Sequence, residues 1–340
     1  MKKIFLLKIV LISFTLILTN SCNIDDLSQI TQISVSPTEK GVLLVGSTVE
    51  LQVRGNNSTD ITEESTFKVN GVEIEGNTFI TENEPKTYHI LASYKDFENI
   101  ISITTAKGFV RNVLIEDYTG TWCVNCPRVT YAIEQAKSQS DKVVSVGIHN
   151  DAEMIMDQVS VLINEFGINS YPTARLNRVN DWVDDVNNIE GALELTGYGS
   201  DLGLAINSTI SGSNIEATIK IGFENTITKP IKLVIYLTEN GLLFNQSNST
   251  PYYGGLHLLV DFEHNDVLRA IYTDHLGEVI PNSETITNNV YEFALNQPIA
   301  PIVANYDNIH LVAFVTDAIT NEVLNVREVK VGENQEFQKP

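Results

Sequence analysis

The stretch TWCVNCP, residues 121–127, holds two of the three cysteines in a chain of 340 residues, and it separates a strand pattern from a helix pattern. Before it, VRNVLIEDY at 110–118 is typical of a buried strand, and after it residues 129–140 can form a helix. A second continuous apolar strand, KVVSVGI, follows at 142–148. A strand, a helix and another strand predict a crossover unit in which a central sheet is covered on its faces.

Strand and helix patterns continue to alternate as far as residue 195. Strand patterns dominate both before residue 109 and after residue 195. QVSVLINEFG is helix-like, TARLNR is strand-like, and residues 186–195 form a predicted helix. Between residues 30 and 106, short β-branched runs separated by turns, with a tight hairpin at Val69–Val72, predict a small antiparallel sandwich. After residue 197, six or more strand patterns predict a second all-β sandwich.

The N-terminus predicts export and a lipid anchor. Lys2 and Lys3 precede an apolar run at 4–18 that is short for a membrane span, which needs about 20 apolar residues. The segment LTNSC, ending at Cys22, looks like a bacterial lipoprotein processing site. We therefore predict that Cys22 is lipidated, which also explains the odd cysteine count. The alternative is a soluble secreted protein in which Cys22 is cleaved away or left as an odd thiol.

Composition narrows the possible partners and cofactors. The formal net charge of −21 at pH 7 disfavours nucleic acid and anionic membrane surfaces, so we predict no nucleic-acid partner. The sequence contains no phosphate loop and no nucleotide-binding fingerprint, and no cofactor is predicted.

Three kinds of chemistry use a C-x-x-C step. Structural zinc needs four ligands, but the chain has no second cysteine pair and its six histidines lack the required spacing, so no metal is predicted. A structural disulfide across two residues closes so small a loop that it constrains the unfolded chain little. Thiol–disulfide exchange is the third possibility, and export favours it because a cysteine pair persists oxidised outside the cytosol.

The position of the cysteine pair also favours exchange. Proline is tolerated in the first helical turn, so Pro127 predicts a helix that begins no earlier than about Cys123 or Val124. Cys123 would then lie at the helix N-terminus, where unpaired backbone N–H groups and the helix dipole stabilise a thiolate. Cys126, one turn deeper, would be shielded and placed to attack a mixed disulfide formed at Cys123.

A second motif, YPT at 171–173, stands at a strand entrance, and WCVNC together with YPT resembles the thioredoxin fold and its active site over about residues 109–195. The resemblance implies that Cys123 is the nucleophile and Cys126 the resolving thiol. It implies that Trp122 is the flanking aromatic residue and Pro172 a cis proline, so Tyr171, Pro172 and Thr173 are predicted to support the site.

Two features differ from the thioredoxin pattern or leave it incomplete. Val124 and Asn125 stand where thioredoxin has Gly-Pro, and these positions tune the redox potential, so the direction of exchange stays open. The buried acid that thioredoxins use for proton transfer has two candidates, Glu116 and Asp117, and either could instead be a solvated charge at the strand end.

A wider resemblance covers residues 109–333. The segments VLIEDYTGTWCVNCPR, YPTARLNR, YLTENGLL and HNDVLRAIYTDHLGEVI resemble the outer-membrane-protein-28-related lipoproteins of Gram-negative bacteria. This family joins a thioredoxin-like domain to a C-terminal β domain. The resemblance implies a lipid-anchored outer-membrane location, periplasmic or surface-exposed.

The predicted fold class is therefore multidomain. The segment VSPTEKGVLLVGSTVELQV is similar to the first strands of bacterial immunoglobulin-like domains. The predicted parts are a signal peptide (1–21), a lipidated tether (22–30), an immunoglobulin-like β-sandwich (31–107), an α/β thioredoxin-like domain (108–196), a C-terminal β-sandwich (197–333) and a tail (334–340).

Two other segments contain groups that could support a site. HNDVLRAIYTDHLGE, residues 264–278, contains two histidines and several acids, but their spacing fits no metal-ligand pattern, and solvated loops around a strand are expected. IHND, residues 148–151, ends a predicted strand and could line the site, although capping of the next turn by Asn150 and Asp151 is the simpler prediction.

Two functional hypotheses follow from the sequence. The first is an outer-membrane lipoprotein that acts as a thiol–disulfide oxidoreductase, whose Cys123–Cys126 site exchanges disulfides with the thiols or disulfides of exported proteins. The second is a non-enzymatic surface binding or adhesion lipoprotein, with an unknown surface ligand, in which the pair is a retained structural disulfide. Alkylation of the reduced thiols separates the two, because an exchange-active Cys123 reacts below the pKa of about 8.5 of a free thiol.

Overall fold

The computed structural model describes residues 30–38, 43–56, 58–152, 154, 156 and 158–339. The predicted signal peptide at 1–21, the lipidation site Cys22 and the tether up to residue 29 lie outside the described residues. In the described part of the chain, no helix is long and apolar enough to cross a membrane.

The N-terminal part, residues 33–106, is a sandwich of two small sheets. One sheet has the strand order β1-β3-β6 and the other β2-β8-β7-β4-β5. Alternate side chains of β3 and β7, among them Leu51, Val53 and Ile90, fill the space between the sheets. The strands are β1 (Ile33–Pro37), β2 (Leu43–Leu44), β3 (Thr48–Gly55), β4 (Thr66–Val69), β5 (Val72–Ile74), β6 (Thr78–Ile80), β7 (Thr87–Tyr94) and β8 (Phe97–Ala106).

The predicted hairpin in this sandwich is confirmed. Val69 pairs with Val72 across a two-residue turn. Asn70 and Gly71 both have positive φ, 51° and 82°, which is the backbone of the turn that matches the twist of antiparallel strands. Asparagine and glycine tolerate this conformation best, and the sequence therefore fixes the register here.

The central part alternates strands and helices as predicted. β10 and β11 run parallel and are connected through α1, while β12 lies antiparallel on the other side of β10. The elements are β9 (Phe109–Arg111), β10 (Val113–Thr119), α1 (Cys126–Gln139), β11 (Val143–His149), α2 (Val159–Glu165), β12 (Thr173–Leu176), β13 (Asn180–Asp181), α3 (Ile189–Leu193) and β14 (Gly197–Ser200). The helix predicted at 186–195 is shorter than expected, because a 3₁₀ turn at Asp185–Asn187 precedes it.

The C-terminal part is rich in long antiparallel strands. They are β15 (Leu202–Ser211), β16 (Asn214–Phe223), β17 (Ile231–Glu239), β18 (Leu242–Ser247), β19 (Leu258–His264), β20 (Val267–Ile271), β21 (Glu278–Ile280), β22 (Val290–Pro298), β23 (Ile309–Asp317), β24 (Val323–Lys330) and β25 (Asn334–Gln335). Residues 334 and 335, in the predicted tail, form β25 and pair with β15.

One nine-stranded sheet joins the central and C-terminal parts. Its order is β13-β12-β10-β11-β20-β17-β23-β24, with β21 also paired to β17. The connection is made where β20 pairs in parallel with β11, Gly147 facing Val267. Strands from both sides of the predicted boundary at 196/197 therefore share one sheet. The division into domains 108–196 and 197–333 stays a proposal about folding units.

Each face of this sheet is covered by a different layer. Val113 and Ile115 of β10 pack under α1 and α3, whereas Leu114 and Tyr118 face the opposite side and pack with α2. This separation follows from the alternation of side chains along a strand.

Farther along, the sheet β22-β16-β15-β25 covers the C-terminal strands of the nine-stranded sheet. Ile219 and Ile221 of β16 belong to the same buried cluster as Leu233 and Ile235 of β17. Each such side chain contributes roughly 1.5–3 kcal/mol when it is fully buried. The predicted β-rich architecture with sandwich packing is thus confirmed.

Candidate functional site

Cys123 and Cys126 form a disulfide in the turn between β10 and α1. The N–H of Cys123 donates to the Gly120 carbonyl (3.0 Å), and the N–H of Cys126 donates to the Cys123 carbonyl (3.2 Å). These two consecutive turns, residues 120–126, are called the dithiol turn below. Both cysteines are nearly buried, with exposed fractions of 4% for Cys123 and 1% for Cys126.

The helix begins later than the sequence suggested. Asn125 is the N-cap and Cys126 is the first residue of α1, so Cys123 precedes the helix instead of starting it. The predicted limit, a helix that begins no earlier than about Cys123 or Val124, is met. Cys123 itself lies two residues before the N-cap and not at the helix N-terminus, because the turn closed by Cys126 and Cys123 comes before the first helical hydrogen bonds. Pro127 lies in the first helical turn, where its missing N–H breaks no bond.

Aromatic side chains stand at the open side of the dithiol turn. Trp122 is 53% exposed, and its indole N–H donates to the Asn150 carbonyl (3.0 Å). Its ring meets that of Tyr171 edge-on, with centroids 5.4 Å apart. The Asn150 side-chain amide donates to the Tyr171 hydroxyl (3.0 Å), which links the two predicted site residues through one asparagine.

The YPT motif enters the sheet beside the strand that leads to the cysteines. The Tyr171–Pro172 peptide bond is cis. Thr173 begins β12 and pairs with Tyr118 of β10. The structure therefore brings Trp122 and Tyr171 into contact and places Pro172 and Thr173 at the adjoining strand.

The alternation along β10 separates the two candidate acids. Asp117 lies on the same face as Ile115, under α1, and is 4% exposed. Burial, with a smaller contribution from the charge of Asp185, raises its pKa from 3.8 to about 8, against the opposing effect of Arg128. Its Oδ1 has no hydrogen-bond partner. Asp117 is therefore a buried carboxyl group that is mostly protonated near neutral pH.

Glu116 points to the other face and has a structural partner. Its Oε1 accepts from Nε of Arg178 (3.1 Å), and neither side chain is exposed to solvent. Arg178 also donates to the Tyr236 hydroxyl. Its guanidinium lies over the ring of Phe314, 4.6 Å from the centroid. This buried network ties the central strands to the C-terminal ones, and neither acid is a solvated strand-end charge.

A cavity of about 330 Å³ lies beside the dithiol turn, between α1, the strands β10 and β11, and the β18–β19 hairpin. It borders the turn at two places. Thr130 lines the cavity and hydrogen-bonds to the Cys126 carbonyl, and Gln246 lines it and hydrogen-bonds to the Cys123 carbonyl. Its ionisable lining residues are Asp117, Glu134, Lys137, His149, Glu263, His264 and Asp266.

The IHND segment is linked to the dithiol turn through Asp151. Its carboxylate accepts from Nδ1 of His149 (2.7 Å), from the N–H of Thr121 (3.1 Å) and from the N–H of Met154 (3.1 Å). Burial alone would raise the pKa of Asp151, but these partners outweigh it and lower the pKa. The bond to Met154 is the expected turn cap, and the bond to Thr121 connects the segment to the site.

The segment 264–278 differs from its expected solvated surroundings. β20 within it is buried, and its Arg269 pairs with the buried Glu239. His264 packs edge-on against His149, with ring centroids 5.2 Å apart. Burial, followed by the proximity of His149, lowers the pKa of His264 to about 4, so it is neutral at physiological pH. The expected strand is present as β20, and the loop at 272–276 is partly or fully exposed. His264, in contrast, is buried against His149.

The β18–β19 hairpin contacts the dithiol turn directly, which no sequence motif indicated. The N–H of Ser247 donates to the Thr121 carbonyl (2.8 Å), and the N–H of Ser249 donates to the Val124 carbonyl (2.7 Å). Gln246, buried at 2% exposure, donates to the carbonyl of Cys123 (3.0 Å). The strand LLFNQS was not predicted, and contacts between residues so far apart in the chain leave no local signal.

Within the described ranges, no group of three or more His, Cys, Asp or Glu side chains could hold a metal ion. The arrangement instead offers a cysteine pair, a buried carboxyl group and an exposed aromatic pair.

The chain matches a known protein family. The profile of the family described as "Outer membrane protein Omp28" matches residues 159–335, which is more than half of the chain. No curated protein matches the chain.

Two solved structures from Porphyromonas gingivalis are similar to this chain. HBP35 matches with a TM-score of 0.52 and 18% identity, over 67% of this chain and 78% of that one. A domain of the outer membrane lipoprotein Omp28 matches with 20% identity over 39% of this chain and 88% of that one, at a TM-score of only 0.25. The first similarity concerns the fold alone, and the second is too weak to carry an argument.

Proposed function

This chain belongs to the Omp28 family of outer membrane proteins, and from that premise we propose that it is a lipid-anchored envelope protein whose Cys123–Cys126 pair exchanges disulfides with exported proteins. We propose further that residues 109–195 are a thioredoxin-like unit. The order β10, α1, β11, α2, β12 supports this, as do the disulfide before α1 and the cis Tyr171–Pro172 bond at β12.

Asp117 is the observation that carries the proposal. A purely structural disulfide needs no acid, yet the chain keeps a carboxyl group buried under α1, where ionisation is costly. Asp117 lines the same cavity as Thr130, whose hydroxyl donates to the Cys126 carbonyl. A carboxyl group with a pKa of about 8 exchanges protons readily near neutral pH. It suits the role of proton acceptor for a buried resolving thiol.

The exchange then proceeds in two displacements. The thiolate of Cys123 attacks one sulfur of a client disulfide, forms a mixed disulfide, and releases the other client sulfur as a thiolate that takes a proton from water. Cys126 passes its proton to Asp117 in its carboxylate form, which is the minor form at pH 7 because the pKa is about 8, and attacks the Cys123 sulfur. The second client sulfur leaves as a thiolate that takes a proton from water, and Asp117 later returns its proton to solvent. The client leaves with two thiols, and the Cys123–Cys126 disulfide carries the oxidation. The reverse sequence oxidises a client dithiol, and Val124–Asn125 leave the preferred direction open.

A second function is favoured by one observation, the burial of both cysteines. With exposed fractions of 4% and 1%, the disulfide could serve only to close the turn of a binding or adhesion lipoprotein. In that case the pair should resist mild reductants, and the reduced thiols should show no enhanced reactivity below pH 8.5.

The test is to trap clients in whole cells with Cys126→Ala, which leaves a mixed disulfide at Cys123 unresolved. Cys123→Ala with Cys126→Ala is the matched control, because it lacks both thiols. Proteins linked to the single variant through a reducible bond, and missing from the control, support exchange. Their absence at good expression favours the binding function.

The anchor is tested separately. We propose that Cys22 carries the lipid, so Cys22→Ala should release the protein from the membrane fraction and remove label from a fatty-acid precursor. A Cys22→Ala protein that stays lipidated would contradict this part of the proposal alone.

A further inference from the structure

Gln246 makes an unusual set of contacts with the dithiol turn. Its side-chain Nε2 donates to the carbonyls of Cys123 (3.0 Å), Gly120 (3.3 Å) and Ser247 (2.9 Å). The first two carbonyls already accept a backbone N–H, from Cys126 and Cys123 respectively. Gln246 is therefore an additional donor to these two carbonyls, and they remain hydrogen-bonded without it.

The surrounding segment holds Gln246 in place. The N–H groups of Ser247 and Ser249 donate to the carbonyls of Thr121 and Val124, and the Ser249 hydroxyl donates to the Asn125 side chain (2.8 Å). These bonds run along one side of the dithiol turn. The opposite side carries Trp122, the one aromatic residue within the turn, which receives none of these bonds and is exposed.

We propose that Gln246 is a positioning residue of the dithiol site, so that the site is completed by a hairpin from outside the thioredoxin-like unit. The inference rests on the proposed exchange function and deepens it. When the disulfide opens, the covalent link that fixes the turn is lost, and the Gln246 amide continues to hold the carbonyls of Gly120 and Cys123.

The same contacts favour a thiolate at Cys123. Carbonyl oxygens carry partial negative charge, and two of them lie within the turn that carries the sulfur. Donation from Gln246 draws that charge toward its own amide hydrogens, which reduces repulsion of the thiolate in a poorly solvated site. Because the hairpin closes one side, a client disulfide is expected to approach from the side of Trp122 and Tyr171.

Gln246→Leu tests the proposal in the full-length protein, since it keeps the approximate volume and removes the donor. Gln297→Leu on β22 makes the same change away from the site. The rate of Cys123 alkylation in the reduced proteins is measured against pH. For Gln246→Leu we expect the rate at pH 6.5 to fall about fivefold, the factor for one net hydrogen bond, with an upward shift of the pH midpoint. Gln297→Leu should match the parent.

The outcomes separate this inference from the proposed function. An unmoved pH midpoint in folded Gln246→Leu, with normal exchange by the parent, overturns the positioning role alone. If the parent protein exchanges no client disulfide but Gln246→Leu still shifts the pH midpoint of Cys123 alkylation, the proposed function is overturned and the positioning role is supported.

If Gln246→Leu fails to fold, backbone hydrogen exchange of the parent protein tests the positioning role instead. The positioning role predicts that amides 120–126 stay protected after reduction, and exchange at free-peptide rates would overturn it.

Discussion

Replacing Asp117 with asparagine should stabilise the protein near neutral pH. The folded protein holds this carboxyl with a pKa of about 8, against 3.8 for an unperturbed aspartate. Between those values the folded state binds more protons than the unfolded state, so the free energy of unfolding falls as pH rises. Asparagine has nearly the same shape and does not ionise, so it removes this loss.

The magnitude follows from the shift. pH 7 lies about three pH units above the pKa of Asp117 in the unfolded chain, and each unit stabilises the ionised unfolded chain by about 1.36 kcal/mol. The folded protein gains nothing comparable, because its Asp117 stays mostly protonated. The upper limit is about 4 kcal/mol. We expect Asp117→Asn to recover about 2–4 kcal/mol at pH 7, but only about 0.5 kcal/mol at pH 4, where the folded parent is protonated and the unfolded chain, with a pKa of 3.8, is only partly ionised.

The assay is urea unfolding of the oxidised protein at several pH values between 4 and 8, followed by tryptophan fluorescence. Trp182 is buried in the core beneath α1 and reports on the same region. Asp141→Asn is the control, because that side chain is 81% exposed and its replacement should change the free energy of unfolding by less than about 0.5 kcal/mol. Equal stability of Asp117→Asn and the parent across this range would refute the buried-acid assignment.

Two further substitutions test the surroundings of the site. Arg178→Met should lower the free energy of unfolding by about 3–5 kcal/mol in a urea titration, because it leaves Glu116 buried without its partner. Adding Glu116→Gln should recover part of the loss. Full stability of the single variant would argue against the buried pair. In the parent protein, His264 should cost up to about 3 kcal/mol of stability as pH falls from 6.5 to 4, because the unfolded chain protonates this histidine while the folded protein holds it neutral. His264→Phe should remove this pH-dependent loss. The exposed His257→Phe should keep the parent's slope, and an unchanged slope in His264→Phe would contradict its burial as a neutral ring.

Local patterns predicted the elements around the dithiol turn well. The apolar run at 110–118 and the cysteines followed by Pro127 placed β10 and α1 in the correct order, because periodicity and proline geometry act within a few residues. The helix start obeyed the limit set by Pro127, but the sequence did not show that Cys123 lies in a turn before the N-cap, since a closed turn differs from a helix only by the dihedral angles of two or three residues.

The sequence alone could not show which of Glu116 and Asp117 is the buried acid near the cysteine pair. Adjacent residues in a strand always face opposite sides, but the sequence does not state which side carries α1 and which carries Arg178. The structure separates them, with Asp117 beside the cavity and Glu116 in a buried ion pair. The sequence pattern identified both acids as candidates but did not distinguish between them.

Contacts between distant parts of the chain were the main omission. Pairing of β20 with β11 extends one sheet across the predicted boundary. In the same region His264 is buried, where solvated loops around a strand were expected. Gln246 reaches the dithiol turn through the same arrangement. Strand pairing over more than a hundred residues leaves no periodic signal, so these features emerge only from the packed fold.

The central claim is tested most directly by the rate at which the purified full-length protein reduces a model protein disulfide in the presence of a dithiol reductant. We predict a rate above that of the reductant alone for the parent protein, and only the background rate for Cys123→Ser. Equal rates for the two proteins across a range of reductants would contradict thiol–disulfide exchange at this site.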